Sequence, residues 1–227
     1  SIIEDELDKM RDLGVTFQTN TIVGKTITYE DLKAQGMDGI FIATGVGVAN
    51  YMGIPGEDLK GVYTASEYLA KYNLMSPEDL AEALPSLRGK SVAVIGGGNT
   101  AIDAVRTAIR LDAKQATIVY RRSEEEMPAR AEEIKHAREE GTEFFNLHNP
   151  VEYLGDESGH VTAMRLERME LGAPDESGRR RPVATGEIIT VPVDEVIICI
   201  GYSASTLVTK SMPELEVNKW GNIVVDE

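Results

Sequence analysis

The stretch Ser91-Val92-Ala93-Val94-Ile95-Gly96-Gly97-Gly98-Asn99-Thr100-Ala101 dictates more about the fold than any other part of this chain. A short apolar run rich in β-branched residues enters a glycine turn. A helical pattern leaves it, with Ala101, Ile102, Val105, Ala108 and Ile109 on one face as far as about Leu111. Ala116–Tyr120 then reads as a second strand. Strand, turn, helix and strand within about 30 residues make a βαβ unit, which demands a parallel sheet. The expected fold class is therefore α/β, with a Rossmann-like parallel sheet.

Gly96-x-Gly98-x-x-Ala101 is the dinucleotide-binding fingerprint in its G-x-G-x-x-A form. Gly96 allows the tight turn out of the strand, with Gly97 following it. Gly98 lets the backbone approach a pyrophosphate without a Cβ in the way, and Ala101 lets the helix pack close to the strand. The first helical amides, near Asn99 and Thr100, point at the diphosphate, where the helix dipole favours negative charge. Alone the pattern is weak. Its place between a predicted strand and a predicted helix gives it weight, against the bland alternative of a glycine turn with no ligand.

The end of the second strand selects the nucleotide. NAD sites carry an acidic residue there, about 20 residues past the glycines, for the ribose 2′-hydroxyl. This chain reads Tyr120-Arg121-Arg122-Ser123. Two guanidinium groups suit a 2′-phosphate, which points to NADP(H) over NAD(H). Arg130 is a weaker candidate for the same phosphate, the alternative being a solvated helix residue. Surface ion pairs of Arg121 and Arg122 with Glu124, Glu125 and Glu126 compete with this reading.

Elsewhere the signals are coarser. Ile3, Leu7, Met10 and Leu13 fall at helical spacing before Gly14. Val15–Thr19 reads as a strand, 26–34 as a short helix or turn, and Ile40–Gly45 as a buried strand. Residues 49–85 carry turn signals and one helical stretch near 66–72, and read as a connection. A helix is expected over 129–140, with Pro128 in its first turn and Gly141 at its end. Strands follow at 143–147, 151–154, 161–169, 187–191 and 196–200, with turns at 155–159 and 172–182. These predict an antiparallel β-meander beside the parallel sheet. The chain opens at Ser1 without an initiator Met and stops at Glu227 in or just after a strand, so a piece of a longer chain is expected.

Composition excludes several classes. Lys and Arg number 23 against 38 Asp and Glu, a net charge of −15, which repels phosphate backbones and argues against nucleic acid. Cys199 is the single cysteine, so an intrachain disulfide and a cysteine-held zinc or iron–sulfur site are excluded. Cys199 reads as a small core residue. His136, His148 and His160 lie twelve apart on different predicted elements, so no metal site is expected. Asp103 either bonds the glycine loop or is solvated. No apolar run nears the roughly 18 residues of a membrane span, and the chain reads as soluble and cytoplasmic with no membrane partner.

Beyond the fingerprint, Val94–Asp103, Tyr120-Arg121-Arg122, Met127-Pro128-Ala129, Arg138-Glu139-Glu140-Gly141, Gly178-Arg179-Arg180-Arg181-Pro182 and Lys219-Trp220-Gly221 resemble the small chain of NADPH-dependent glutamate synthase. The same pattern is similar to the large subunit of NADH-dependent ferredoxin:NADP oxidoreductase and the reductase part of dihydropyrimidine dehydrogenase. The resemblance implies a two-dinucleotide-binding flavoprotein in which an FAD domain is interrupted by an NADPH domain. Thr44 and Gly45 then mark where the chain leaves the FAD domain, and Ile200, Gly201 and Tyr202 where it returns. The implied domains are 1–46, an incomplete FAD part; 47–88, a connection; 89–203, the NADP(H) domain; and 204–227, an incomplete return segment.

With the FAD domain truncated, the chain is expected to bind NADPH and not FAD, and to be inactive alone. The implied reaction of the complete protein passes hydride from NADPH to FAD and onward to iron–sulfur clusters. It needs no acid–base dyad, so no catalytic side chain is named. Implied partners are the missing FAD-domain halves and an iron–sulfur or glutamate synthase large subunit. An electron-bifurcating ferredoxin:NADP oxidoreductase subunit and a non-catalytic nucleotide-binding assembly module stand as alternatives. The Arg179–Arg181 run reads as a solvated turn or as an electrostatic contact with a partner or the rest of a full chain.

Overall fold

A computed structural model describes residues 2–75 and 86–225. The chain divides into two compact units, residues 1–48 with 203–227, and residues 49–202. In the first unit, α1 (Ile2–Asp12) buries no residue, and α2 (Tyr29–Ala34) starts at a capping box between Thr28 and Asp31. The chain crosses to the second unit within β1 (Val46–Ala49).

The second unit runs β2 (Val62–Thr64), α3 (Ala65–Leu74), β3 (Ser91–Ile95), α4 (Asn99–Arg110), β4 (Gln115–Tyr120), α5 (Ala131–Glu139), β5 (Glu143–Asn146), β6 (His148–Gly155), β7 (Val161–Pro174), β8 (Arg180–Pro192) and β9 (Glu195–Ile198). Strand β10 (Tyr202–Ala204) returns the chain to the first unit and pairs with β1, and α6 (Leu207–Ser211) follows. The five-stranded sheet has the order β2-β9-β3-β4-β5, with every pair parallel. Strands β6, β7 and β8 form the expected antiparallel meander.

The two-residue period of the central strands assigns each side chain to a layer. Val92, Val94, Ile118 and Ile197 face a core shared with Ala101, Ile102, Val105 and Ala108 of α4. Their neighbours Ala93, Ile95, Val119, Val196 and Ile198 face a second core with Tyr153, Val161, Met164 and Leu166 of the meander. A sheet covered on both faces needs continuous apolar strands, which is why Val92–Ile95 and Val196–Ile198 read without alternation. The alanines of α4 let its axis approach the sheet, and Ala101, Ala104 and Ala108 are fully buried.

Several expectations change. Residues 49–75 do more than connect: β2 forms the edge of the parallel sheet, and Tyr68 of α3 is 2% exposed in the core, while the rest of the expected connection, 76–85, lies outside the described residues. Val15–Thr19 is irregular and exposed, and Ile40–Gly45 is neither strand nor buried, with Phe41 93% exposed. Strand-forming composition becomes a strand only when a neighbour pairs with it, and neither segment has one. Near the carboxyl end, among the described residues after α6, only an isolated bridge, Val217 with Ile223, forms. The expected turn 172–182 is mostly strand, because Leu171 pairs with Pro182 and Pro174 with Arg180. The 129–140 helix begins at Ala131. The amides of Ala129 and Arg130 donate to Gly97 O and Asn99 Oδ1 instead, so the glycine loop sets where the helix can start.

Candidate functional site

The carboxyl ends of β3, β4 and β9 open onto a cavity of about 700 Å³ whose lining residues all lie in the second unit. Ligands of open α/β sheets bind at this edge, because the loops there leave a crevice. The glycine turn forms its floor. Gly96 N donates to Val119 O at 3.0 Å, and its φ of 142° is one that side chains rarely adopt. A Cβ there would lie 2.3 Å from Cys199 O. A Cβ on Gly97 would strike the Tyr120 ring at 2.7 Å.

Gly98 is different. Its φ of −89° suits any residue, and a Cβ there would meet no protein atom within 4 Å. The space it leaves belongs to the cavity. Gly98 caps α4 with no side-chain hydrogen bond; Ala101 N donates to Gly98 O at 3.0 Å, which leaves the amides of Asn99 and Thr100 in need of an acceptor. This arrangement fits the phosphates of a dinucleotide.

Thr100 lines the cavity, and Ala101 is buried beneath it. Asn99 does not line it: its Oδ1 accepts from Arg130 N at 3.0 Å and ties the glycine turn to the start of α5. The Arg130 side chain is exposed and outside the lining, so the cavity wall does not include this expected residue.

Arg121 and Arg122 are both in the wall. Neither pairs with the acidic run that follows. Glu124 is bound to Arg138, and Glu126 Oε2 accepts from Ser123 N and Oγ at 3.2 and 2.5 Å. Arg122 Nε instead donates to the Tyr120 hydroxyl at 3.2 Å, which itself donates to Glu126 O at 2.8 Å. The ring packed on Gly97 therefore also holds a guanidinium.

Ile200, Gly201 and Tyr202 complete the β9 side, where Gly201 O accepts from Asn50 N at 3.1 Å. Thr44 and Gly45 belong to the first unit, where both are exposed just ahead of β1. Asp103 is exposed and bonds no glycine of the loop. Burial pushes the Cys199 thiol up to about 12, with the Asp103 charge adding to it. Cys199 thus faces the cavity as a neutral group.

Some lining residues carried no recognised signal. The Asn50–Ile54 side is shaped by Glu57, whose carboxylate accepts from the amides of Met52, Gly53 and Ile54 at 2.7, 2.8 and 3.1 Å. His148 enters through Leu147, whose φ of 57° is left-handed and whose N donates to Arg122 O. Its Nδ1 donates to Asn146 O at 2.8 Å, and its ring lies 4.2 Å from that of Phe145. Arg179 reaches the same wall from the β7–β8 hairpin. The lining thus holds three arginines and one histidine with no Asp or Glu, in a chain of net charge −15. Among the described residues no cluster of His, Cys, Asp or Glu could hold a metal ion, and no helix is long and apolar enough to cross a membrane.

The sequence pattern described as pyridine nucleotide-disulphide oxidoreductase matches residues 5–227. The chain belongs to this oxidoreductase family. Within it, the chain is 40% identical over 228 residues to the NADP(+)-dependent formate dehydrogenase subunit beta of Moorella thermoacetica, covering 99% of this chain and 31% of that one. It is 37% identical over 220 residues to the NADPH glutamate synthase small chain of Escherichia coli, covering 95% and 46%. The expected likeness to that small chain therefore holds. The chain spans about a third to a half of the length of these relatives. In fold it is similar to Mycobacterium tuberculosis FprA in complex with NADPH, with a TM-score of 0.72 at 21% identity over 88% of this chain and 56% of that one. Thioredoxin reductase of T. acidophilum follows at 0.56 and 20% identity, over 79% and 49%.

Proposed function

We propose that this chain is the NADPH-binding portion of a flavin-dependent oxidoreductase of the glutamate synthase small-chain type. One observation carries the reading: a glycine turn at a helix N-terminus and an arginine couple with no ion pair among the described residues line the same cavity, whose lining has no carboxylate. The first-turn amides of α4, approached across Gly98, hold the diphosphate. Arg121 and Arg122 hold the 2′-phosphate, with Arg122 kept in place by Tyr120. Ile198, Ile200 and Met52 supply apolar wall against which a flat ring lies shielded from water.

When bound, NADPH supplies a hydride, and its acceptor in the complete protein is FAD. The work of this chain's residues is positioning, which accounts for the lack of an acid–base pair in the cavity wall. Relatives named for glutamate synthase, formate dehydrogenase and Fe(3+) reduction share this portion. We therefore assign nucleotide handling to the shared portion, and the iron–sulfur route and final acceptor to other segments or subunits.

Calorimetric titration tests the assignment. NADPH is expected to bind much more tightly than NADH. Arg121→Ala with Arg122→Ala should bring NADPH down to the NADH level and leave NADH unchanged. Equal losses for both nucleotides would refute the 2′-phosphate assignment.

A further inference from the structure

The meander contains a hairpin longer than its sheet requires. β6 pairs with β7 from Gly155↔Val161 up to His148↔Arg168, and His148 stands in the cavity wall. β7 and β8 go on pairing to Pro174↔Arg180. Residues 169–174 therefore continue past the rim for about 20 Å, at roughly 3.3 Å per residue. Register shifts between Glu167 and Met169 and between Leu171 and Pro174 bend this ribbon. Its tip comes back to the cavity, because Arg179 is part of the wall.

The tip is a fixed turn. Asp175 Oδ1 accepts from Ser177 N, Ser177 Oγ and Arg179 N at 3.0, 2.6 and 3.0 Å, and Asp175 N donates to Arg179 O at 3.0 Å. The three consecutive arginines then separate in role. Arg181 faces Asp175 at 3.9 Å, and Arg180 donates to the carbonyls of Gly172 and Leu171 at 3.3 Å. The Arg179 guanidinium has no hydrogen-bond or ion-pair partner among the described residues. Arg179 is exposed, lines a carboxylate-free cavity, and its guanidinium is paired with nothing among the described residues, so it is available to an anionic ligand there.

We infer that Arg179 is a third phosphate-binding guanidinium of the nucleotide site, delivered by the hairpin and separated in sequence from Arg121 and Arg122. The inference rests on the NADPH reading and deepens it. A 2′-phosphate alone carries about −1.5 to −2 charges at neutral pH, and the two bridging phosphates add more, so two arginines leave charge uncompensated.

The test is calorimetric titration of the intact chain with NADPH and NADH, for wild type, Arg179→Ala, Arg179→Lys and Arg181→Ala. Arg179→Ala should weaken NADPH about five- to tenfold, the scale of one charge-assisted hydrogen bond at a partly open site. Arg179→Lys should recover part of this, and Arg181→Ala should stay within about twofold of wild type, since it removes the same charge from the same turn without facing the cavity. A loss shared by NADH puts Arg179 on the bridging phosphates, and one confined to NADPH puts it on the 2′-phosphate. Arg179→Ala binding as wild type does, or Arg181→Ala losing as much, overturns the inference and leaves the site intact. A wild type that binds neither nucleotide overturns the NADPH reading itself.

Discussion

Two glycines only two positions apart should respond to the same substitution in opposite ways. At Gly98, alanine finds an ordinary φ of −89° and no protein atom within 4 Å of its Cβ. The unfolded chain loses some freedom, while alanine caps a helix less well than glycine, so Gly98→Ala should leave stability within about 0.5 kcal/mol of wild type. Its methyl instead occupies the space assigned to the diphosphate. Displacing that group breaks a hydrogen bond from backbone to charged phosphate, which costs roughly 1.5–3 kcal/mol of binding, about ten- to a hundredfold. At Gly96, alanine must adopt a φ of 142° with its Cβ 2.3 Å from Cys199 O. Backbone strain and forced movement of β9 together cost about 4 kcal/mol, or roughly 10 °C in melting temperature for a unit of this size. Differential scanning calorimetry and NADPH titration of both variants separate the two effects. A stable Gly98→Ala protein that binds NADPH like wild type would show that no phosphate sits over Gly98, and the site assignment would fall with it.

Two further outcomes follow from single contacts. Tyr120→Phe keeps the ring on Gly97 but removes the hydroxyl that accepts from Arg122, so NADPH affinity should fall about two- to fivefold with NADH unchanged; a parallel loss of NADH would point to a collapsed glycine turn instead. Glu195, 1% exposed and bound to Lys90 at 2.5 Å, has its carboxyl raised above the ordinary 4.5 by burial, with Lys90 opposing. The folded state then holds that proton more tightly than the unfolded state. This contribution to stability is complete below pH 4.5 and is lost as pH rises through the folded value. Urea midpoints measured across this range should decline less steeply for Glu195→Gln than for wild type, and parallel slopes would contradict the assignment.

The parallel sheet and the glycine turn were legible because their signals are local. An apolar run, three glycines and a helical stripe occupy consecutive positions, and each residue type has one steric reason to be there. The Arg121–Arg122 couple was legible for the same reason, since the strand carrying it follows directly. Ile40–Gly45 misled because its composition matches a buried strand while nothing pairs with it. Residues 49–75 misled in the other direction: Val62–Thr64 is too short to announce a strand, and it becomes one only against Val196–Ile198, far along the chain.

Residue order by itself determined the βαβ unit, the glycine turn at its helix N-terminus, and the arginine couple at the end of its second strand. All three depend on neighbours within about 30 residues and on the sterics of glycine and the geometry of guanidinium. Tertiary structure alone decided which distant groups share the cavity with them. His148 arrives through the left-handed Leu147, the Met52–Ile54 loop is drawn in by Glu57, and Arg179 is carried there on a bent hairpin. Those positions follow from strand register and long-range hydrogen bonds, which no local pattern of residues encodes.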